Sequence, residues 1–344
     1  VTLRAPVALF AFNRPETTAQ VFAAIREARP SRLFLVCDAP RADRPEEAAR
    51  CAAVRAILDG VDWPCEVERA FADQNMGCRR RISSGIDWVF SRTDEAIFLE
   101  DDTLPEPTFF RYADELLERY RDDDRVLMIS AYNLMGAVHG GAARSGATGA
   151  TSATRSGATD APDASYWFSL LPRIWGWAGW RRAWQGYDVT MADWPALKQT
   201  PAWTERTVAE REAYGPFFDE VKAGRMDTWD AQVCLHAWRT GRVAAIPAVN
   251  LITNIGFGGG ATNTHLSAFP GPPVQPMAFP LVHPAQVARD VARDARWVRL
   301  EHGVKMGRAQ RWWRGAMRRL RALVGGASNG GASGGGAPFR RASR

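Results

Sequence analysis

Apolar and polar positions alternate in blocks along the first 130 residues. Val7 to Phe12, Leu33 to Cys37, Cys65 to Phe71, Ala96 to Leu99 and Val126 to Ile129 are short β-rich runs and predict strands. Between them, Pro15 to Ala28, Glu46 to Leu58, Arg79 to Phe90 and Thr108 to Tyr120 carry helical patterns. Val21, Phe22 and Ile25 share one face of the first helix, and Pro15 fits its first turn. Ile82, Ile86 and Val89 are spaced for burial on the third. This strand–helix order predicts an α/β fold with a mostly parallel, doubly wound sheet and helices on both faces.

The pattern then breaks twice. Gly136 to Ala164 is rich in Gly, Ala, Ser and Thr, has almost no large apolar residue after Val138, and reads as a disordered surface insertion. From Tyr166 the chain turns aromatic: Tyr166-Trp167-Phe168, then Trp175-Gly176-Trp177-Ala178-Gly179-Trp180, then Trp184 and Trp194. Such a stretch is either packed core or a flat wall for a sugar ring or acceptor. Ala202 to Lys222 reads as one helix. A second helix opens at Thr228-Trp229-Asp230, with Thr228 as N-cap, and runs to about Trp238. Val243 to Ile246 is a strand, and Asn254 to Gly260 is a glycine-rich loop without the P-loop pattern.

Composition and charge narrow the class. The 344 residues are 46% hydrophobic and 24% charged, enough to bury one large core or two medium ones. No apolar run is long enough to span a bilayer, and the start has no signal-peptide shape. The five cysteines are scattered without a CxxC pair, which fits reduced thiols in a cytoplasmic protein and argues against a zinc site. Net charge is +6, but residues 301–344 hold ten Lys/Arg and one acid, so the rest of the chain is near −3. The basicity belongs to the tail and does not make the body a nucleic-acid binder. Within that tail, 305–324 sets Trp312, Trp313, Met317, Leu320, Leu323 and Val324 among seven basic residues. This is a basic amphipathic helix, suited either to an anionic membrane surface or to packing and solvation.

Candidate chemistry gathers at the strand ends. Glu100-Asp101-Asp102 follows the apolar run Ala96 to Leu99, and Leu104-Pro105-Glu106-Pro107 stops the strand behind it. Three adjacent carboxylates repel one another and gain from a hard cation such as Mn²⁺ or Mg²⁺; a solvated acidic turn is the structural alternative. The first strand ends in Asn13-Arg14 and the second in Asp38. In a parallel sheet these ends share the ligand-binding edge. Arg14 suits a phosphate or a base, and Asp38 could accept the N–H of a uracil ring. Asp230, in the first turn of its helix, is explained by the macrodipole alone; the functional alternative is a general base.

The ordered set Phe12-Asn13-Arg14-Pro15, Asp38, Gln74-Asn75-Met76-Gly77 and Glu100-Asp101-Asp102 resembles GT-A fold glycosyltransferases, specifically bacterial relatives of the N-acetylglucosaminyltransferase I family. Gly176 to Trp180, Thr228-Trp229-Asp230 and Asn254-Ile255-Gly256-Phe257-Gly258 continue the likeness in order, over about residues 5 to 265 outside the insertion. The resemblance implies that Glu100-Asp101-Asp102 is the variant DxD motif, with Asp102 as the Mn²⁺ ligand. Glu100 and Asp101 would then lie near the donor's ribose and sugar, and Arg14 and Asp38 would hold its base. It implies Asp230 as the catalytic base, contact of Trp229 with substrate, and a loop from Gly256, Phe257 and Gly258 to Thr264 that closes over the donor. The expected layout is a nucleotide-sugar-binding half (1–135), the insertion (136–164), an acceptor and catalytic half (165–290), and a basic helix with a disordered tail (291–344).

The function this implies is a metal-dependent inverting transfer from a nucleotide-diphosphate sugar, UDP-linked by expectation, to an acceptor hydroxyl. Polysaccharide, lipopolysaccharide and protein acceptors all fit. The expected location is the cytoplasm, with peripheral contact at the inner membrane face through 305–324. A sugar-nucleotide pyrophosphorylase shares the general fold but wants a glycine-rich basic loop after the first strand, where this chain has Asn13-Arg14-Pro15-Glu16. A membrane-surface scaffold without catalysis would leave the acids and Asp230 unexplained.

Overall fold

A computed structural model describes residues 3–136, 164–256 and 272–302. Val1–Glu301 groups as one compact unit, and His302–Arg344 as another, of which His302 alone is described. The insertion is therefore almost wholly outside the described residues, as are Phe257, Gly258, the rest of the glycine loop to Thr264, and the basic segment 305–324.

The first half is built as the apolar pattern requires. Strand β1 (Val7–Ala11), helix α1 (Pro15–Ala28), strand β2 (Arg32–Cys37), helix α2 (Glu47–Leu58), strand β3 (Glu66–Phe71), helix α3 (Cys78–Phe90) and strand β4 (Glu95–Glu100) follow in order. β1 and β4 are continuous apolar runs because helices cover both faces of the sheet there. Thr18, Val21, Phe22 and Ile25 form the buried stripe of α1, and Pro15 fills its first turn, where its missing N–H costs nothing. A short strand β5 (Thr103–Pro105) and helix α4 (Thr108–Arg119) lead to strand β6 (Val126–Ser130).

The second half holds strands β7 (Tyr166–Ser169) and β8 (Trp177–Trp180), then short helices α5 (Arg181–Trp184), α6 (Trp194–Leu197) and α7 (Pro201–Thr204). Helices α8 (Val208–Lys222) and α9 (Asp230–Thr240), strands β9 (Val243–Pro247) and β10 (Ile252–Asn254), and helix α10 (Val291–His302) complete it. The main sheet has the order β3-β2-β1-β4-β8-β6-β9-β7. β3, β2, β1 and β4 are mutually parallel, as are β6 and β9. β8 runs antiparallel between β4 and β6, and β7 antiparallel along β9. The protein is thus an α/β fold around a large, mostly parallel sheet flanked by helices.

One open alternative is decided and two local expectations are corrected. Of its two readings, the aromatic stretch is packed core: Trp177 stacks on its β4 partner Phe98 at 4.2 Å between ring centroids, and Tyr166 to Phe168 are buried. The helix expected over Ala202 to Lys222 is two. Thr207 starts α8 with a capping box, its hydroxyl taking the Glu210 N–H while Glu210 reaches back to the Thr207 N–H. Thr228 is not an N-cap; Trp229 occupies that place without a side-chain cap bond.

Close packing of α3 on the sheet gives a direct test. A Cβ on Gly85 would stand 2.5 Å from a ring carbon of Phe10 and 2.8 Å from a methyl of Val36. Overpacking costs about 1–3 kcal/mol, against a helix-propensity gain of about 1 kcal/mol for Gly to Ala. Gly85→Ala is therefore expected to lower the thermal midpoint; a raised midpoint would show that α3 lies looser on β1 and β2.

Candidate functional site

The site lies at the C-terminal edge of the parallel strands. β1 ends at Ala11, and the backbone turns through Phe12-Asn13-Arg14 into α1, so the Arg14 side chain starts at the helix mouth. β4 ends in Glu100, with Asp101 and Asp102 in the turn before β5. Neighbouring parallel strands then force a meeting. The Phe12 N–H donates to Asp101 Oδ2 at 2.9 Å. The Arg14 guanidinium lies 2.5 Å from Asp102 Oδ2 and 3.7 Å from Asp101 Oδ1. Burial works against the Arg14 charge, yet Asp101 and Asp102 hold its pKa above the ordinary value.

The acids feel the opposite pressure. Burial, then the charge of Asp102, pushes Asp101 up to about 7, against the pull of Arg14 and the Phe12 amide. Glu100 lies well above the usual carboxylate range: burial first, then Asp102, Asp101 and Asp230 all disfavour its charge.

The start of the glycine-rich segment is built onto the triplet. β10 pairs with β5, setting Asn254 opposite Thr103, and the Ile255 N–H donates to the Asp102 carbonyl at 2.7 Å. Gly256 follows with its N–H on Asn254 Oδ1 at 2.9 Å. A Cβ there would meet the Asp102 side chain, with Cβ at 2.7 Å and Cγ at 2.8 Å. Only glycine permits so close an approach.

Asp230 reaches the same neighbourhood from α9. Its Oδ1 accepts the Thr228 hydroxyl and, at 2.9 Å, the Ala231 N–H. Burial still outweighs those donors and raises its pKa. Its charge is felt by Glu100 on β4, by the Cys78 thiol at the start of α3 and by Tyr187. Trp229 is 2% exposed and packs on Trp177 with centroids 6.2 Å apart, so it supports the turn from below and its ring is not offered to solvent.

Asp38 is the group that the resemblance puts at the nucleobase. It is buried at the end of β2, and its oxygens accept the Ala39 N–H at 2.9 Å, the Met76 N–H at 3.0 Å, the Gly77 N–H at 3.2 Å and the Asn75 side-chain amide at 3.1 Å. Burial nonetheless raises its pKa above the usual range. Asp38 ties the Asn75-to-Gly77 turn to the sheet edge. That turn walls an open cleft of about 400 Å³ lined by Phe71, Asp73, Gln74, Met76 and Arg81.

Sequence reasoning did not single out Cys78, Tyr187 or Asp227. Gly77 in Gln74-Asn75-Met76-Gly77 was the available signal: it caps α3 at φ +76° and comes within 3.0 Å of Asp227 Oδ2, measured from an added Cβ.

Among the described residues, no three His, Cys, Asp or Glu are grouped so as to chelate a metal. The acidic turn offers oxygen donors only: Glu100, Asp101 and Asp102 adjoin one another, and Arg14 takes one oxygen of Asp102. Carboxylate oxygens are the donors that Mg²⁺ and Mn²⁺ take. Among the described residues, no helix is long and apolar enough to cross a membrane.

No family model matches the chain, and no curated protein matches it. Solved structures are similar over part of it. HddC from Yersinia pseudotuberculosis is 10% identical, covering 35% of this chain and 56% of its own, with a TM-score of 0.25. The 4-diphosphocytidyl-2C-methyl-D-erythritol synthase of Anaerococcus prevotii is 10% identical over 34% of this chain and 52% of its own, at 0.25. A UDP-glucose pyrophosphorylase complexed with UDP-glucose is 12% identical over 34% and 55%, at 0.22. This chain spans little more than half the length of each.

Proposed function

We propose that this chain is a metal-dependent inverting glycosyltransferase that moves a sugar from a nucleotide-diphosphate donor, UDP-linked in the simplest case, to an acceptor hydroxyl. The observation that carries the reading is the convergence of Arg14, Glu100-Asp101-Asp102 and Asp230 on one edge of the sheet. An arginine suits a phosphate, crowded acids suit a cation that bridges phosphates, and a separately held carboxylate suits a proton.

Asp102 would hold the metal, Mn²⁺ or Mg²⁺, which when bound would neutralise the diphosphate leaving group. The chain's own residues do the rest. Arg14 exchanges its ion pair with Asp102 for a donor phosphate. Asp101 stays tied to the Phe12 amide and keeps the β1 and β4 ends together. Glu100 faces the donor's ribose and sugar. Asp38 shapes the Phe71–Arg81 cleft, which we read as the nucleobase site, by fixing its wall. Gly256 brings backbone against the donor. Asp230 takes the proton of the acceptor hydroxyl as that oxygen attacks the anomeric carbon. The basic pattern of 305–324 adds peripheral contact with anionic lipid.

The pyrophosphorylase reading has a specific observation against it. The β1–α1 junction is Phe12-Asn13-Arg14, three residues without glycine, too short for a loop that wraps a triphosphate. Calorimetry with a panel of UDP-, GDP- and dTDP-sugars, with and without Mn²⁺, tests the proposal. Metal-dependent binding of one donor, followed by its hydrolysis or transfer, is expected. Pyrophosphate release from a sugar 1-phosphate and a nucleoside triphosphate would instead make the chain a nucleotidyltransferase. Binding of none of the panel would sink both enzyme readings.

A further inference from the structure

Resting on the reading of Asp230 as base, we propose that Thr228 is a positioning residue. Its hydroxyl and the Ala231 amide fix Oδ1 of Asp230, so that the other oxygen faces the acceptor hydroxyl and takes its proton.

The turn that carries both residues is held from several sides. The Gln232 side-chain amide donates to the Thr228 carbonyl at 3.0 Å and to the Val189 carbonyl at 3.1 Å. The Tyr187 hydroxyl donates to the Trp229 carbonyl at 3.0 Å, and Tyr187 stacks on Trp184 at 4.0 Å. Trp229 is buried against Trp177 of β8. The backbone at 228–230 therefore has little freedom, and the carboxylate's remaining freedom is rotation about its own side-chain bonds. Two donors on one oxygen remove it. A threonine placed to cap a helix would accept an N–H from the first turn. Thr228 instead donates to a carboxylate two residues on, a geometry with no capping value.

The same bond tunes basicity. Asp230 is faced by Glu100 from β4, Cys78 from α3, Tyr187 from the segment after α5, Cys234 from its own helix and Glu301 from α10. None of these favours its ionised form. The Thr228 hydroxyl and the Ala231 amide do, against the larger effect of burial. Removing the hydroxyl should push Asp230 further up and leave its carboxylate less ordered.

The test is a ¹³C-carboxyl NMR titration of the full-length chain, with the Asp230 signal assigned by its loss in Asp230→Asn. Thr228→Val, which keeps the shape and drops the hydroxyl, is expected to titrate Asp230 at higher pH than the native chain, and Thr228→Ser to restore it. With the donor found in the panel, Thr228→Val should lower kcat at neutral pH about tenfold, the worth of one hydrogen bond to a charged group. Donor KM should not change, and Thr228→Ser should again rescue. An unmoved titration in Thr228→Val beside an inactive Asp230→Asn would overturn the positioning role alone. Undiminished transfer by Asp230→Asn would overturn the reading of Asp230 as base and the positioning role with it.

Discussion

Asp230→Asn is expected to lower the rate of sugar transfer by about 10²–10⁴, the usual worth of a general base, while donor affinity stays at the native level. The asparagine keeps the shape of the group. Its side-chain oxygen can still accept the Thr228 hydroxyl and the Ala231 N–H, so the start of α9 is preserved. What it loses is the ability to take a proton. An anion at a helix start is also worth about 0.3–1 kcal/mol through the macrodipole, and that small loss would appear in a melting curve. The two roles therefore separate cleanly. A drop in kcat far beyond what the melt reports assigns Asp230 to the chemistry. A variant with native kcat and a slightly lower midpoint would leave it as a helix-terminal anion.

The second large effect is expected at Asp102. Asp102→Ala should abolish the Mn²⁺-dependent part of donor binding, a loss beyond the roughly 10–100-fold that removing an outer-shell partner costs, read by calorimetric titration with UDP and Mn²⁺. Its effect on stability should run the other way. The charge of Asp102 raises both Asp101 and Glu100, so removing it relieves a repulsion the folded chain now bears. Arg14 keeps Asp101 as a partner. The metal-free variant should melt no lower than the native protein, and higher where Asp101 is ionised. Gain of stability with loss of binding is the signature of a site kept for use. Unchanged UDP and Mn²⁺ affinity would remove Asp102 from the metal site; loss of both properties would make it part of the scaffold.

The parallel half of the sheet is legible because β1, β2 and β4 carry buried apolar runs between helices with one apolar face, while β3 is a partly exposed edge strand. Pro15–Ala28 was bounded correctly by a proline at one end and the loss of apolar period at the other. The antiparallel strands were not legible. Trp177-Ala178-Gly179-Trp180 has no alternation and no β-branched residue, and its place between β4 and β6 is decided by pairing with residues far away in sequence. The break between α7 and α8 was readable in principle, since Thr207 and Glu210 have capping-box spacing inside the expected helix.

The site divides in the same way. The strand-end rule found Arg14 and the acidic triplet, because parallel strands bring their ends together whatever lies between. It could not say what Asp38 holds, because the Asn75-to-Gly77 backbone that binds it arrives from beyond β3. Thr228 reads as a cap in the sequence because capping is a common use of a threonine before a helix. The direction of its hydroxyl is set by the buried Trp229 turn, which no local pattern encodes.

The insertion of β8 between β4 and β6 has a consequence for how the molecule is made. β3, β2, β1 and β4 all lie within residues 7–100, so this half can pair once that stretch has left the ribosome, before β8 has been made. The outer edge of β4, the strand that leads into the acids, then has open N–H and C=O groups until Trp177–Trp180 arrives to cover them. A nascent or truncated chain ending before β8 would carry the whole acidic triplet beside a bare sheet edge, open to pairing with another copy of itself.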